Sequence, residues 1–553
     1  MNNKKKSRVL ACALASVTWT AHSAPIPATE DGKLGLYSAL DFRITDGSCG
    51  DCQAIPQALW YFDDEPLAVP VQYAADFSRG TRAQADVAAW AANNPDLAAQ
   101  PVVWLGSSSV IPQAQMSADG KTITLDEGYT LDFSIVPKIS SNLSYWNDDT
   151  QKFFSERPVR LRGESGESGF VARTVWPLDY RISAGGTAKP LDTDESLKSL
   201  VQYENGGAQS AYQARLLWES SPGAAENAAG KAVVGLMLNG AQGDDDEAHG
   251  GHFGVVTGRF EADGNWSRWL VNNFYNLDSI SEKAIIAAVT PVDKYLMDLN
   301  SGQSYYRPSY MLVATFKSDR PIALYQGAIN RVYQHLYRHD FVYDHSRDNC
   351  AGISIDTFRT LGWRVPGRGV EGYAKATAAW FYIAASERSL GQGRKLYDYL
   401  TTETTRLYPA VAFDAMGNDL LALAKGRVSR KLTPLEQQLA QDIEAIWFVR
   451  IPQIPSSRAY GLAPIYSFDQ YMKQAPADRS EWKIIPVADR LFPDELRDGP
   501  ALKREMPSPV PLPVAGAALG LGLIAAWLYR RWLKRRPAKQ PGTMRQAAES
   551  SDA

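Results

Sequence analysis

The residues best placed to do chemistry lie in one stretch, Asp340-Phe341-Val342-Tyr343-Asp344-His345-Ser346-Arg347-Asp348-Asn349-Cys350-Ala351-Gly352. The following run, Ile353 to Leu361 and then Gly362, predicts a helix closed by a glycine cap. Cys350 then falls in the first helical turn. Unpaired backbone N–H groups and the positive end of the helix dipole favour a thiolate over a thiol there. The expectation is a thiol pKa lowered by roughly one to several units. A small cysteine at a helix start is more commonly a buried packing residue, so a nucleophile also needs a base beside it.

Covalent catalysis by cysteine requires a base within hydrogen-bond reach and a third polar group to orient that base. The chain has six histidines. His22 lies in the N-terminal leader described below. His335 and His339 belong to a predicted helix and read as surface residues. His345 shares the loop of Cys350. His249 and His252 stand at the mouth of a predicted strand, Phe253 to Phe260, where a glycine-flanked histidine is ordinarily a turn residue. A rival chemistry sits just before that strand. Asp244, Asp245, Asp246, Glu247, His249 and His252 gather carboxylates and imidazoles that suit a divalent metal. No His-Glu-x-x-His spacing accompanies them. The run therefore reads as a solvated loop; no metal site is specified and no cofactor is expected.

The elements that must position these residues follow from composition and pattern. The 553 residues suffice for two to four domains, and a net charge of −3 gives no reason to expect a nucleic-acid partner. Residues 1–24 have a basic start, an apolar middle from Val9 to Trp19 and the ending Ala21-His22-Ser23-Ala24, the form of a secretory signal peptide cut after Ala24. Cys12 comes too early for a lipoprotein signal. Val510 to Tyr529 is an uncharged run long enough to span a bilayer as a helix, and Arg530, Arg531, Lys534, Arg535 and Arg536 follow it. These ends predict an exported body held to the inner membrane of a bacterial envelope, with residues 530–553 as a cytoplasmic basic tail. Ser508-Pro509-Val510-Pro511-Leu512-Pro513 also resembles a C-terminal sorting tail, but the chain runs well past the basic cluster, and anchoring is read ahead of cleavage.

Export bears on the cysteines. Cys49-Gly50-Asp51-Cys52 is read as a local disulfide rather than a redox motif or half a zinc site. That leaves Cys350 unpaired in an oxidising compartment, which marks it out. Along the mature chain, residues 25–182 read as a β-rich domain with partial helix within 74–98. Residues 183–204 read as a linker, 205–369 as the domain carrying Cys350, 370–450 as helical, and 451–509 as a proline-rich irregular segment. Thr433-Pro434-Leu435-Glu436 is a capping box, and Leu435, Leu439, Ile443 and Ile446 give the helix it opens an apolar face.

Two segments together carry a resemblance. Gly251-His252-Phe253-Gly254-Val255-Val256-Thr257-Gly258 looks like the base-bearing strand of NlpC-type papain-like thiol hydrolases. Tyr343 with Asp348-Asn349-Cys350-Ala351-Gly352 looks like their tyrosine and nucleophile helix. In that family the cysteine helix comes first. Here the histidine strand precedes it by about a hundred residues, as in the circularly permuted branch with lecithin:retinol acyltransferase-like proteins and the Lnb-type periplasmic domain. The likeness spans roughly residues 230–366, about a quarter of the chain. It implies Cys350 as nucleophile and His252 as base. It also implies an orienting amide from the next strand, Asn272 or Asn273, of which alternation allows only one and Asn273 is preferred. The Cys350 N–H would be the oxyanion donor, with Tyr343 adding its hydroxyl. Asn349 and the acidic run depart from the pattern.

The resulting expectation is an α+β protein: a permuted papain-like domain, a β-rich N-terminal domain, a helical C-terminal region and one transmembrane helix. Its activity would be that of a cysteine-dependent hydrolase or acyltransferase working through an acyl-enzyme on acyl-lipid, lipoprotein or amide substrates of the cell envelope. A cell-wall peptide amidase is the first alternative. A catalytically inert envelope scaffold or a metal-binding protein is the second.

Overall fold

The computed structural model describes residues 24–25, 32–45, 60–62, 65–71, 83–93, 100–137, 146–166, 169–203, 210–240, 250–276, 285–337, 341, 343–345, 347–456, 464–474 and 478. Residues 1–23 of the expected signal peptide, Cys49 with Cys52, the acidic run with His249, and His339 lie outside these residues, as do residues 479–553.

The chain folds as mixed α+β, organised on one sheet of eleven strands among the described residues. Its middle runs, in spatial order, Ile285–Pro291, Leu270–Asn276, His252–Arg259, Ala232–Asn239, Ser309–Phe316, Ile443–Ile451 and Gln213–Glu219, all antiparallel. Ala232 to Asn239 are buried at every position. A strand reads as a continuous apolar run when both faces of its sheet are covered, and here they are. Val234, Leu236 and Leu238 face a layer of helices with Ile329, Phe358 and Phe413 in its core. Val233 and Met237 face the other way, into a core shared with Leu161, Val175 and Trp176.

That second core belongs to a closed barrel of Ser109–Met116, Thr122–Leu125, Thr130–Ile135, Pro158–Ser165 and Gly169–Pro177, with helix Asp148–Ser155 between the third and fourth strands. Residues 25–182 are β-rich as expected, but they do not stand apart. Phe42–Thr45, Leu67–Pro70 and Val103–Trp104 extend the main sheet, joined through the parallel pairing of Val103 with Val289. The barrel is tied to the sheet by buried charge. Asp293 accepts from Arg160 and, at 2.9 Å, from Arg162. Asp298 accepts from Arg173 at 2.8 Å and lies 3.3 Å from Lys294. Neither the Asp293 nor the Arg173 pairing is local in sequence, so periodicity could not announce them.

The helical layer contains Arg320–Tyr337, Cys350–Leu361, Pro409–Ala424 and Pro434–Asp442, with a helical hairpin of Tyr373–Ser386 and Leu390–Thr401 ahead of the third. The capping box at Thr433 and Glu436 forms as expected. The predicted helical region 370–450 needs correction at its end. The helix stops at Asp442, and Ile443–Ile451 is a strand held between Ser309–Phe316 and Gln213–Glu219. Its β-branched and aromatic residues suit a sheet with both faces covered, and two non-local partners outweigh the helical spacing. The linker at 183–204 likewise contains a short helix, Leu197–Val201, with a Ser196–Ser199 capping box.

The expected C-terminal transmembrane helix is also corrected, together with the inner-membrane anchoring and periplasmic placement that rested on it. No helix among the described residues is long and apolar enough to cross a membrane. The run 510–529 lies outside them. The longest described helix, Arg320–Tyr337, carries Arg320, Asn330, Arg331 and Gln334 among its residues, which disqualifies it for hydrocarbon.

Candidate active site

The Cys350 helix begins where the sequence places it. Asn349 is its N-cap, with an extended backbone, and its Oδ1 accepts from the N–H of Ala351 at 3.0 Å and Gly352 at 2.9 Å. Its Nδ2 donates to the carbonyl of Leu407 at 2.9 Å. The asparagine that departs from the papain-like pattern thus anchors the helix start. Gly362, at φ 111°, ends the helix in the left-handed region where a side chain would be strained.

Cys350 is 5 % exposed. Its own N–H donates to Tyr343 Oη at 3.1 Å, so the expected oxyanion donor is already engaged in the resting protein. The Tyr343 hydroxyl also reaches the sulfur, as do the backbone N–H groups of Phe253 and Ala351. Tyr343 itself is held against Phe274, with ring centroids 5.4 Å apart. Burial pushes the thiol pKa up, and it outweighs the N–H groups, the Tyr343 hydroxyl and the positive charge of Arg307, which pull it down. This reverses the expectation of a lowered pKa. The helix start does favour the thiolate, but taking the sulfur out of water costs the charged form more.

The Phe253 N–H at the sulfur belongs to the residue after His252, so the His252 strand and the Cys350 helix converge. Gly251, at φ 71°, turns the chain into that strand. His252 is partly buried, and its Nε2 is hydrogen-bonded to Asn273 Oδ1. An accepting carbonyl at Nε2 requires the Nε2–H tautomer and leaves the Nδ1 lone pair as the base. Burial first, and the positive charge of Arg307 second, lower the His252 pKa to about 4 against the opposing Asn273 bond. The imidazole is therefore neutral near pH 7.

Alternation resolves the two asparagines. Asn273 turns to His252, and its amide is also hydrogen-bonded to the Tyr275 hydroxyl. Asn272 turns to the helical layer. Its Oδ1 accepts from Gln326 Nε2 at 3.1 Å and its Nδ2 donates to the Val255 carbonyl at 3.3 Å.

Three residues that sequence reasoning did not single out stand around the pair. Asn239 is the register partner of His252; its Nδ2 donates to Ser309 Oγ at 2.7 Å and its Oδ1 accepts from Tyr295 Oη. The Tyr295 and His252 ring centroids are 6.4 Å apart. Arg307 is 6 % exposed and sits just before the strand that begins at Ser309, at the same end of the sheet. Its charge acts on both His252 and Cys350. Only the sheet register brings these groups to the site, and no local motif signals them.

Of the other candidates, His345 is exposed in the loop before Cys350, with its ring 5.1 Å from that of Tyr343. His335 is buried in the helix Arg320–Tyr337, contrary to its reading as a surface residue. Among the described residues, no three His, Cys, Asp or Glu side chains cluster so as to hold a metal ion. Cys350 is the free cysteine of the described residues. No protein-family model, curated protein or solved structure matches this chain.

Proposed function

We propose that the protein is a cysteine-nucleophile hydrolase or acyltransferase with a permuted papain-like site. The observation that carries this reading is the ordered set Cys350 at a helix start, His252 on the strand whose next N–H reaches the sulfur, and Asn273 on His252 Nε2. This is the nucleophile, base and orienter arrangement that thiol acyl transfer uses.

With the thiol pKa raised and the imidazole pKa lowered, the resting pair is neutral. His252 then acts as a general base during attack instead of storing a thiolate–imidazolium pair. Nδ1 takes the thiol proton as the sulfur attacks a carbonyl carbon, and the π-electron pair moves onto the carbonyl oxygen. The Tyr343 O–H, polarised by the N–H donated to its oxygen, donates to that developing charge. Collapse expels an amine or alcohol, which takes the proton from Nδ1. Water or an acceptor amine then loses its proton to Nδ1, attacks the thioester and frees the thiol.

The substrate class follows from the resemblance: acyl groups of lipids or lipoproteins in the cell envelope, with amide bonds of cell-wall peptides as the alternative. Intact-mass measurement of protein isolated from cells, or treated with an acyl-directed activity probe, tests the reading. A covalent adduct is expected on Cys350, absent in Cys350→Ala and formed slowly in His252→Ala. A folded wild-type protein that never forms an adduct, and whose cellular role survives both substitutions, would make it an inert scaffold.

A further inference from the structure

The helical hairpin ahead of the Pro409–Ala424 helix is built unlike the rest of the surface. Its first helix, Tyr373–Ser386, contains one charged residue, Lys375, and buries only Ala376. Ala374, Ala378, Phe381, Tyr382 and Ala385 all face solvent, and their spacing of four, three, one and three residues puts them on one helical stripe. Tyr373 is 63 % exposed, Phe381 54 %, Tyr382 72 % and Leu390 71 %. These are half of the large apolar side chains that are exposed among the described residues. A soluble surface helix ordinarily turns its apolar stripe inward, and a contiguous outward one marks an interaction site.

The two helices of the hairpin pack directly on each other. They touch at Gly393, where a Cβ would come within 2.8 Å of the Trp380 carbonyl. Glu387 and Arg388 turn the chain at the tip, and Ser389 caps the second helix. The charges favour one occupant. Lys375, Arg388, Arg394 and Lys395 outnumber the hairpin's two acidic residues, Glu387 and Asp398; Asp398 is paired to both Arg394, at 2.8 Å, and Arg347, at 2.5 Å, and Lys375 is paired to Asp469 of a neighbouring helix at 2.7 Å. The hairpin is therefore basic in a chain whose net charge is −3. A two-fold pairing of copies would set like charge against like charge. The run 510–529 of this chain carries its own basic flank. Aromatic side chains with a basic rim suit the headgroup region of an anionic bilayer.

We propose that this hairpin docks on an anionic lipid surface, with Phe381, Tyr382 and Leu390 entering the acyl boundary and the basic residues at the headgroups. The Asp398–Arg347 pair joins the second helix to the loop three residues before Cys350, so docking sets that loop beside the lipid. The proposal goes beyond the thiol reading, and binding does not depend on it.

The test uses the full chain with vesicles of phosphatidylglycerol and phosphatidylethanolamine, against phosphatidylcholine alone. Residues 510–529 are apolar, so the readout must be local: quenching of tryptophan fluorescence by bromine-labelled lipid, compared between wild type and Trp380→Phe. The expected result is a quenched component on the anionic vesicles that Trp380→Phe loses. The exposed pair Phe381→Glu with Tyr382→Glu should abolish that quenched component, and Cys350→Ala should keep it as in wild type. Identical quenching in wild type and Trp380→Phe would overturn the proposal. So would an undiminished quenched component in the double variant, or a lipid-independent dimer that the double variant abolishes.

Discussion

Replacing His252 by phenylalanine should flatten part of the acid sensitivity of this protein, and the size of the effect follows from burial. In the fold the imidazole pKa falls from the usual 6.5 to about 4. Between those values the unfolded chain binds a proton that the folded chain does not, so stability falls as pH drops from 6.5 toward 4 and is fully present above 6.5. At pH 5 the linkage amounts to about 2 kcal/mol, and well below pH 4 it approaches about 3 kcal/mol. Wild type should therefore lose about 2 kcal/mol more than His252→Phe between about pH 7.5 and about pH 5. Other titrating groups cancel in that difference. The direct measurement is a ¹³C NMR titration of the histidine rings, with the His252 resonance assigned by its absence in the variant. A midpoint near 6.5 would refute the burial argument, and with it the neutral resting pair. A midpoint near 4 should coincide with the acid limb of probe labelling at Cys350.

Three further outcomes are expected. Asn273→Ala should slow acylation by about 100-fold and lower the His252 pKa further, because the lost carbonyl favours the charged ring. Asn272→Ala should instead cost about 1–3 kcal/mol of stability through its broken Gln326 bonds, with little change in chemistry; equal kinetic losses in the two variants would contradict the assignment. Iodoacetamide should alkylate Cys350 at pH 7 more slowly than it alkylates free cysteine, with a rate still rising at alkaline pH; a plateau below pH 7 would show that the thiolate is stabilised after all. Asp293→Ala strands the Arg160 and Arg162 guanidiniums between barrel and sheet and should cost about 3–5 kcal/mol, read as early unfolding of the barrel tryptophans; an unchanged melt would remove the ionic tie from the account.

The local pieces of this protein are legible in the order of its amino acids. The Cys350 helix and its Gly362 cap, the Thr433 capping box, the strand opening at His252 and the β-rich character of the N-terminal region follow from propensity, capping and alternation, which act between residues a few positions apart. Beyond that range, long-distance packing took over. It drew Phe42–Thr45, Leu67–Pro70 and Val103–Trp104 into the main sheet and made Ile443–Ile451 a strand where the local pattern asks for helix. It sent Asn273 to the imidazole and Asn272 to Gln326, and it brought Arg307 and Asn239 to the sheet end where His252 lies. It also reversed the thiol: a helix start favours the thiolate from within one turn, whereas desolvation depends on everything packed around the sulfur, and only the assembled fold supplies that.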